Sequence, residues 1–125
     1  MKTARVQIKR VYEDASPEDG FRVFVDRLWP RGVTKDALPY DLWCKDLAPS
    51  APLRRWFGHK PEHWDGFRDS YASELHAPDI QQTIGQVFAQ ADGRTVTLVY
   101  GARDPEHNHA VILAEEMSAW ARKQK

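Results

Sequence analysis

The chain has 125 residues, 42% of them hydrophobic, with 18 basic side chains balanced by 18 acidic ones. That length and apolar content suit one core, so residues 1–125 are read as a single domain. Electrical neutrality removes any general attraction to polyanions, and neither nucleic-acid nor membrane-surface binding is expected.

In chain order, Val6-Gln7-Ile8-Lys9-Arg10-Val11-Tyr12 alternates apolar with polar residues, the period of a half-buried strand. Glu13 to Gly20 is rich in Asp, Glu, Ser and Pro and reads as a loop. Phe21 to Asp26 is dense in aromatic and β-branched residues and predicts a second strand, stopped by Trp29-Pro30-Arg31-Gly32. Asp41 to Leu47 fits either a short strand or an extended loop. Ser50 is placed to cap a short helix carrying Leu53, Trp56 and Phe57 as core residues, with Gly58 as its stop.

Pro61 suits the first turn of a longer helix on which Trp64, Phe67, Tyr71 and Leu75 recur at helical spacing. Pro78 opens another, with Ile80, Ile84, Val87, Phe88 and Ala91 on its apolar face and Asp92-Gly93 at its end. Thr95 to Tyr100 is short and nearly all apolar, as expected of a strand buried on both faces. After Gly101-Ala102-Arg103, Asp104 is positioned to cap a last helix with Pro105 at its first position and Ala110, Leu113, Ala114 and Met117 facing inward. This order favours a three-layer α/β sandwich with a largely parallel sheet, with an α+β arrangement as the alternative.

Cys44 is the only cysteine, so no intramolecular disulfide can form. No segment approaches the length of a membrane span, and Met1-Lys2-Thr3-Ala4 shows no apolar leader. A cytoplasmic protein is expected. Charge is uneven along the chain: residues 1–60 carry 12 basic and 8 acidic side chains and residues 61–125 carry 6 and 10, so the halves are +4 and −4. Self-complementarity within the fold explains this simply. A local basic site would have to be argued from particular arginines.

In open parallel sheets, ligands bind beyond the carboxyl ends of the strands. Two segments leave strands there, Asp26 to Gly32 and Gly101 to His109. If their strands are parallel neighbours, one crevice gathers Arg27, Arg31 and Arg103 with Asp26, Asp104, His107, Asn108 and His109. Guanidinium groups hold carboxylate or phosphate oxygens by paired hydrogen bonds, so the expected partner is a small anion. Arg27, Arg31, Arg103 and Asn108 would bind it; Asp26 and Asp104 are acid/base candidates, and His107 and His109 proton carriers. A purely structural alternative has Asp26 paired with Arg27 or Arg31, Asp104 capping its helix, and His107 and Asn108 satisfying turn hydrogen bonds.

No metal or cofactor is expected. His107 and His109 are two apart, which separates them around a helix, and Pro61 interrupts the four-residue spacing of His59 and His63. No dinucleotide fingerprint, phosphate-binding glycine loop or nucleophile elbow occurs. Cys44 reads as a small core residue. In the run Leu53 to His59, Arg54 and Arg55 are expected to point outward.

The same segments resemble the YeaO-like branch of domain-of-unknown-function family 488 (DUF488), small bacterial proteins without an established activity. The resemblance is carried by Ile8 to Tyr12, by Asp19 to Gly32, by Ala48-Pro49-Ser50 leading to Leu53 to His59, by Trp64, Phe67, Tyr71, Glu74 and Leu75, and by Val96 to Tyr100 and Asp104 to Ala110. It implies an α/β sandwich. In the wider family a strand-exit Asp-Arg segment recurs, matched here by Asp26-Arg27, and so does a C-terminal Cys-His-Arg step, where this chain has Asn108-His109-Ala110. Two functional classes follow: a small enzyme acting on a phosphorylated or nucleotide-like compound, or a non-catalytic ligand-binding or protein-interaction module.

Overall fold

The computed structural model describes residues 5–124; the polar start Met1 to Ala4 lies outside them. Four parallel strands, β1 (Val6–Arg10), β2 (Phe21–Phe24), β3 (Leu42–Trp43) and β4 (Val96–Tyr100), form one sheet in the order β1-β4-β2-β3. Four helices, α1 (Ala51–Phe57), α2 (Trp64–Leu75), α3 (Pro78–Ala91) and α4 (His109–Lys123), complete an α/β fold with an all-parallel sheet. The Asp41 to Leu47 stretch resolves into the two-residue β3 followed by a 3-10 turn over Lys45–Leu47.

The layers follow from the handedness of parallel crossovers. From β1 to β2 to β3 the chain advances across the sheet in one direction, so both connections lie on one face. The return from β3 to β4 must cross the other face, and it carries α1, α2 and α3. Residues of β2 and β4 that point to that side, Phe21, Val23, Val96, Leu98 and Tyr100, join all four helices in one core. The opposite layer is irregular chain: Val11, Phe24, Leu38 and Val99 form a second cluster, closed by Trp29, Val33 and Trp43. The outward layer therefore contains loops where the helix-rich sandwich would have helices.

The central position of β4 explains its uninterrupted apolar sequence, since all five of its residues are buried. At the amino end of β2, Gly20 has φ 64, and a Cβ there would come 2.3 Å from the Thr95 carbonyl oxygen. Only glycine fits. The neighbouring Asp19 is buried, accepts hydrogen bonds from Lys9, Arg22 and the Ser16 N–H, and offers its own carbonyl to the Thr97 hydroxyl at 2.6 Å. Burial pushes the Asp19 carboxyl up, but the hydrogen bonds from Lys9, Ser16 and Arg22 outweigh it and hold the group below its ordinary range.

Two local expectations are corrected. The last helix begins at His109, five residues after the expected Asp104 cap, and Asn108 caps it by accepting from the Val111 N–H at 3.1 Å. The Asp104 carboxylate is spent on its own turn, accepting from the N–H groups of Glu106 and His107 at 2.9 and 3.0 Å. Trp56, expected in the core, is 48% exposed. Leu53 and Phe57, one helical turn apart, occupy the inward face of α1, and Trp56 turns aside to stack on His63 with ring centres 4.2 Å apart. Among the described residues no helix is long and apolar enough to cross a membrane.

Candidate functional site

Because β2 and β4 are parallel neighbours, the segments that follow them do converge at one end of the sheet. Asp26 leaves β2 and Gly101 leaves β4, and the Gly101 N–H donates to Asp26 Oδ2 at 2.9 Å. A Cβ on residue 101 would lie 2.9 Å from that same oxygen, so the small residue permits the contact. Trp43 holds the Asp26 carbonyl from below through its indole N–H at 2.8 Å. Asp26 is thus held from both sides, its carboxylate by the exit of β4 and its backbone by β3.

His109 faces it from the first turn of α4. Its Nε2 lies 3.1 Å from the Val25 carbonyl and 3.4 Å from Asp26 Oδ1. The nearer contact requires a donor, so Nε2 carries the proton in the neutral ring. Burial pushes Asp26 up from its ordinary value, opposed by His109, the Gly101 N–H, Arg54 and His59. Burial pushes His109 down, opposed by Asp26 and Val25, while Arg54 and His59 push it further down. Both displacements favour uncharged forms, and the proton count belongs to the pair. Among the described residues, two buried polar atoms of this neighbourhood find no hydrogen-bond partner: Asp26 Oδ1 and Arg54 Nε.

Arg54 is delivered by α1, and α1 is fixed from outside the site. Glu74 of α2 accepts from the Ser50 N–H at 2.9 Å and from its hydroxyl at 2.6 Å; Ser50 in turn caps α1 at Leu53. The helix ends at Gly58, φ 53, and His59 follows with φ 57, a left-handed conformation uncommon for a residue with a side chain. This turn brings His59 beside Phe57, ring centres 5.7 Å apart.

A cleft of about 270 Å³ opens between these elements. Its apolar wall is Pro49, Phe57, Phe67 and Ala102; its polar wall is Arg54, Arg55, His59, Asn108 and His109. Phe57 and Phe67 stack, with ring centres 4.4 Å apart. Arginines against an aromatic wall can hold an anion whose body is apolar. Among the described residues, no three His, Cys, Asp or Glu side chains gather as a metal-ligand group.

Of the residues expected from sequence, Asn108 and His109 line this cleft, with Asp26 against His109 behind it. Asn108 is committed to α4, and its amide also donates to the Asp104 carbonyl at 2.8 Å. Asp104 and His107 pair with each other at 3.0 Å on the preceding turn, where His107 meets the edge of Trp64. Arg27, Arg31 and Arg103 are exposed and do not line the cleft. The cations that do line it are Arg54, expected to point outward but half-buried, and Arg55, which is exposed as expected. A signal was present: Arg54 stands three residues before Phe57, at the margin of the inward face of α1. Cys44 is half-buried against the core, and burial pushes its thiol up.

Residues 5–125 match the DUF488-N3i family, described as the inactive DUF488-N3 subclade. The chain belongs to this family. It is 41% identical over 115 residues to an uncharacterised protein of Mycobacterium tuberculosis, covering 92% of this chain and 95% of that one. A protein of Mycobacterium bovis matches to the same extent. The uncharacterised protein YeaO of Escherichia coli is 40% identical over 110 residues, 88% of this chain and 94% of its own length. No solved structure matches. In this DUF488 protein the Asn108-His109-Ala110 step thus divides its labour: the asparagine caps α4, the histidine faces Asp26, and Ala110 is buried in the core.

Proposed function

We propose that this protein is a binding module for a small anion, held in the cleft by Arg54 and Arg55 without turnover. One observation carries the reading: two arginines converge on a cleft beyond the strand ends, and the Nε of one is buried without a hydrogen-bond partner. A buried donor left unpaired costs about 1–3 kcal/mol, and an anion in the cleft would offset it with charge-assisted hydrogen bonds to the rest of the guanidinium. Absence of turnover is supported by the family's description as inactive and by the lining of the cleft, which includes no Ser, Cys, Thr or Lys side chain. A cytoplasmic setting belongs to the same proposal, supported by a lone, unpaired Cys44.

A second reading is favoured by one feature, the Asp26–His109 pair. Its two members are displaced in opposite directions, a pattern found in acid/base catalysis, so a phosphorylated or nucleotide-like substrate would exchange a proton with that pair. The test is thermal unfolding against a panel of simple anions, carboxylates, nucleotides and sugar phosphates. A binder at about a hundred times its dissociation constant adds about 2.7 kcal/mol, a shift of several degrees. Binding is expected from at least one anion class and is expected to weaken at least tenfold in Arg54→Gln. Silence across the panel would remove the anion reading; chemical conversion of a bound compound over hours would exchange the first reading for the second.

A further inference from the structure

We propose that the cleft selects a single-ring aromatic monocarboxylate, an inference that rests on the anion-binding reading above and narrows it to a chemical class. Three features of the cleft carry it.

The first is size. A cleft of about 270 Å³ lies just under the range of about 300–1,000 Å³ usual for sites that enclose drug-sized ligands. A dinucleotide would project out of it into solvent. An apolar cavity of about 150 Å³ accommodates benzene, so this volume has room for one ring and an acid group.

The second is the wall. Phe57 and Phe67 are stacked, and His59 leans on Phe57 at an interplanar angle of 53°, so planar side chains bound one side of the space. Pro49 and Ala102 complete it without polar side chains. A flat apolar body gains from offset or edge contact with such a wall, whereas a sugar would leave its hydroxyls facing carbon.

The third is charge. Among the described residues the cleft is lined by two guanidinium groups and no carboxylate, while Asp26 lies behind His109 at 3.4 Å. Two guanidinium groups against the Asp26–His109 pair, which holds at most one negative charge, leave a local excess of positive charge that an anion neutralises. A phosphate monoester carries about −1.5 to −2 at neutral pH and would place its excess charge towards Asp26. The planar fork of an arginine also matches the two oxygens of a carboxylate.

The experiment titrates the full chain, by calorimetry at pH 7, with benzoate, phenyl phosphate, benzamide and acetate, and in parallel with inorganic phosphate and the nucleotide panel. Benzoate is expected to saturate one site and to bind at least tenfold tighter than each of the other three probes. Arg54→Gln and Arg55→Gln are each expected to weaken it tenfold or more. Arg55 is exposed, so its variant remains informative if the Arg54 substitution disturbs folding. Phenyl phosphate binding as tightly as benzoate would overturn the carboxylate preference and leave the anion cleft standing. Equal binding of benzamide would overturn the charge argument, and equal binding of acetate the ring. Phosphate or nucleotide binding with no response to benzoate would overturn this inference alone. Silence from every anion would overturn both.

Discussion

The two ends of β2 carry one aspartate each, and they could hardly be treated more differently. Asp19, at the amino end, is surrounded by Lys9, Arg22 and the Ser16 N–H, and its carboxyl is held below the ordinary range. Asp26, at the carboxyl end, has one oxygen on the Gly101 N–H and the other buried without a partner, and its carboxyl is pushed up. The first arrangement is closed: among the described residues none of its buried side-chain polar atoms lacks a partner, and the result is a corner joining β1, β2 and β4. The second is open, beside an uncommitted Arg54 Nε and a histidine pushed towards neutrality. Satisfied charge holds the fold together, and unsatisfied charge next to a cleft marks where a ligand has something to gain.

Substitutions can break this contrast, and the largest effect is expected at Asp19. Asp19→Ala leaves the Arg22 guanidinium buried without its carboxylate, and breaking such a pair costs about 3–5 kcal/mol. Urea unfolding measures it; a loss below about 1 kcal/mol would mean that the corner is not a stabilising network. Asp26→Asn is expected to do the reverse, keeping an acceptor for Gly101 while removing a poorly solvated charge. It should leave stability at pH 7 unchanged or raise it by about 1 kcal/mol. A loss as large as that of Asp19→Ala would erase the comparison.

Next comes ligand affinity. Arg54→Gln removes a charge-assisted contact worth about 1.5–3 kcal/mol, and binding of any anion that the wild type accepts should weaken accordingly.

Acid dependence gives a smaller effect with a definite sign. The folded pKa of His109 is depressed, so its contribution is present above the ordinary histidine value of about 6.5 and is lost as pH falls through the folded value. The folded pKa of Asp26 is raised, so its contribution is lost as pH rises through that value and returns as pH falls towards 3.8. His109→Gln should therefore flatten the decline of stability below about pH 6.5, and Asp26→Asn should steepen it. Unfolding free energies from pH 7 down to 4.5 decide the matter, and parallel curves for all three proteins would dissolve the pair. The smallest effect is expected at Arg27, Arg31 and Arg103, whose alanine variants should change stability by no more than about 0.5 kcal/mol and leave anion binding intact. Loss of binding in Arg27→Ala would move the site to the β2 exit loop.

Much of the fold was legible because its signals are local. The alternation of β1, the apolar run of β4, the Pro78 start and Asp92-Gly93 end of α3, and Ser50 before α1 all reflect interactions within a few residues. The start of α4 misled because Asp104 and Asn108 are both good caps, and only the path of the intervening turn selects between them. The exposure of Trp56 was hidden for a related reason: its neighbours Gly66 and His63 come from another segment. A Cβ on residue 66 would reach the indole at 2.8 Å, so the position of that ring depends on α2.

The candidate site divides along the same line. From its residues alone, the chain specified a parallel α/β fold, the two strand exits, and the meeting of Asp26, Asn108 and His109 at one end of the sheet, because strand-end segments are written next to the strands themselves. Tertiary structure alone decided which arginines meet that end. Arg27, Arg31 and Arg103 are adjacent to it in sequence but turn to solvent, whereas Arg54 and Arg55 arrive on a helix positioned by the contact of Ser50 with Glu74. That contact spans 24 residues, and no local pattern encodes it. Electrostatic convergence is a property of the folded surface, and the chain order conceals it.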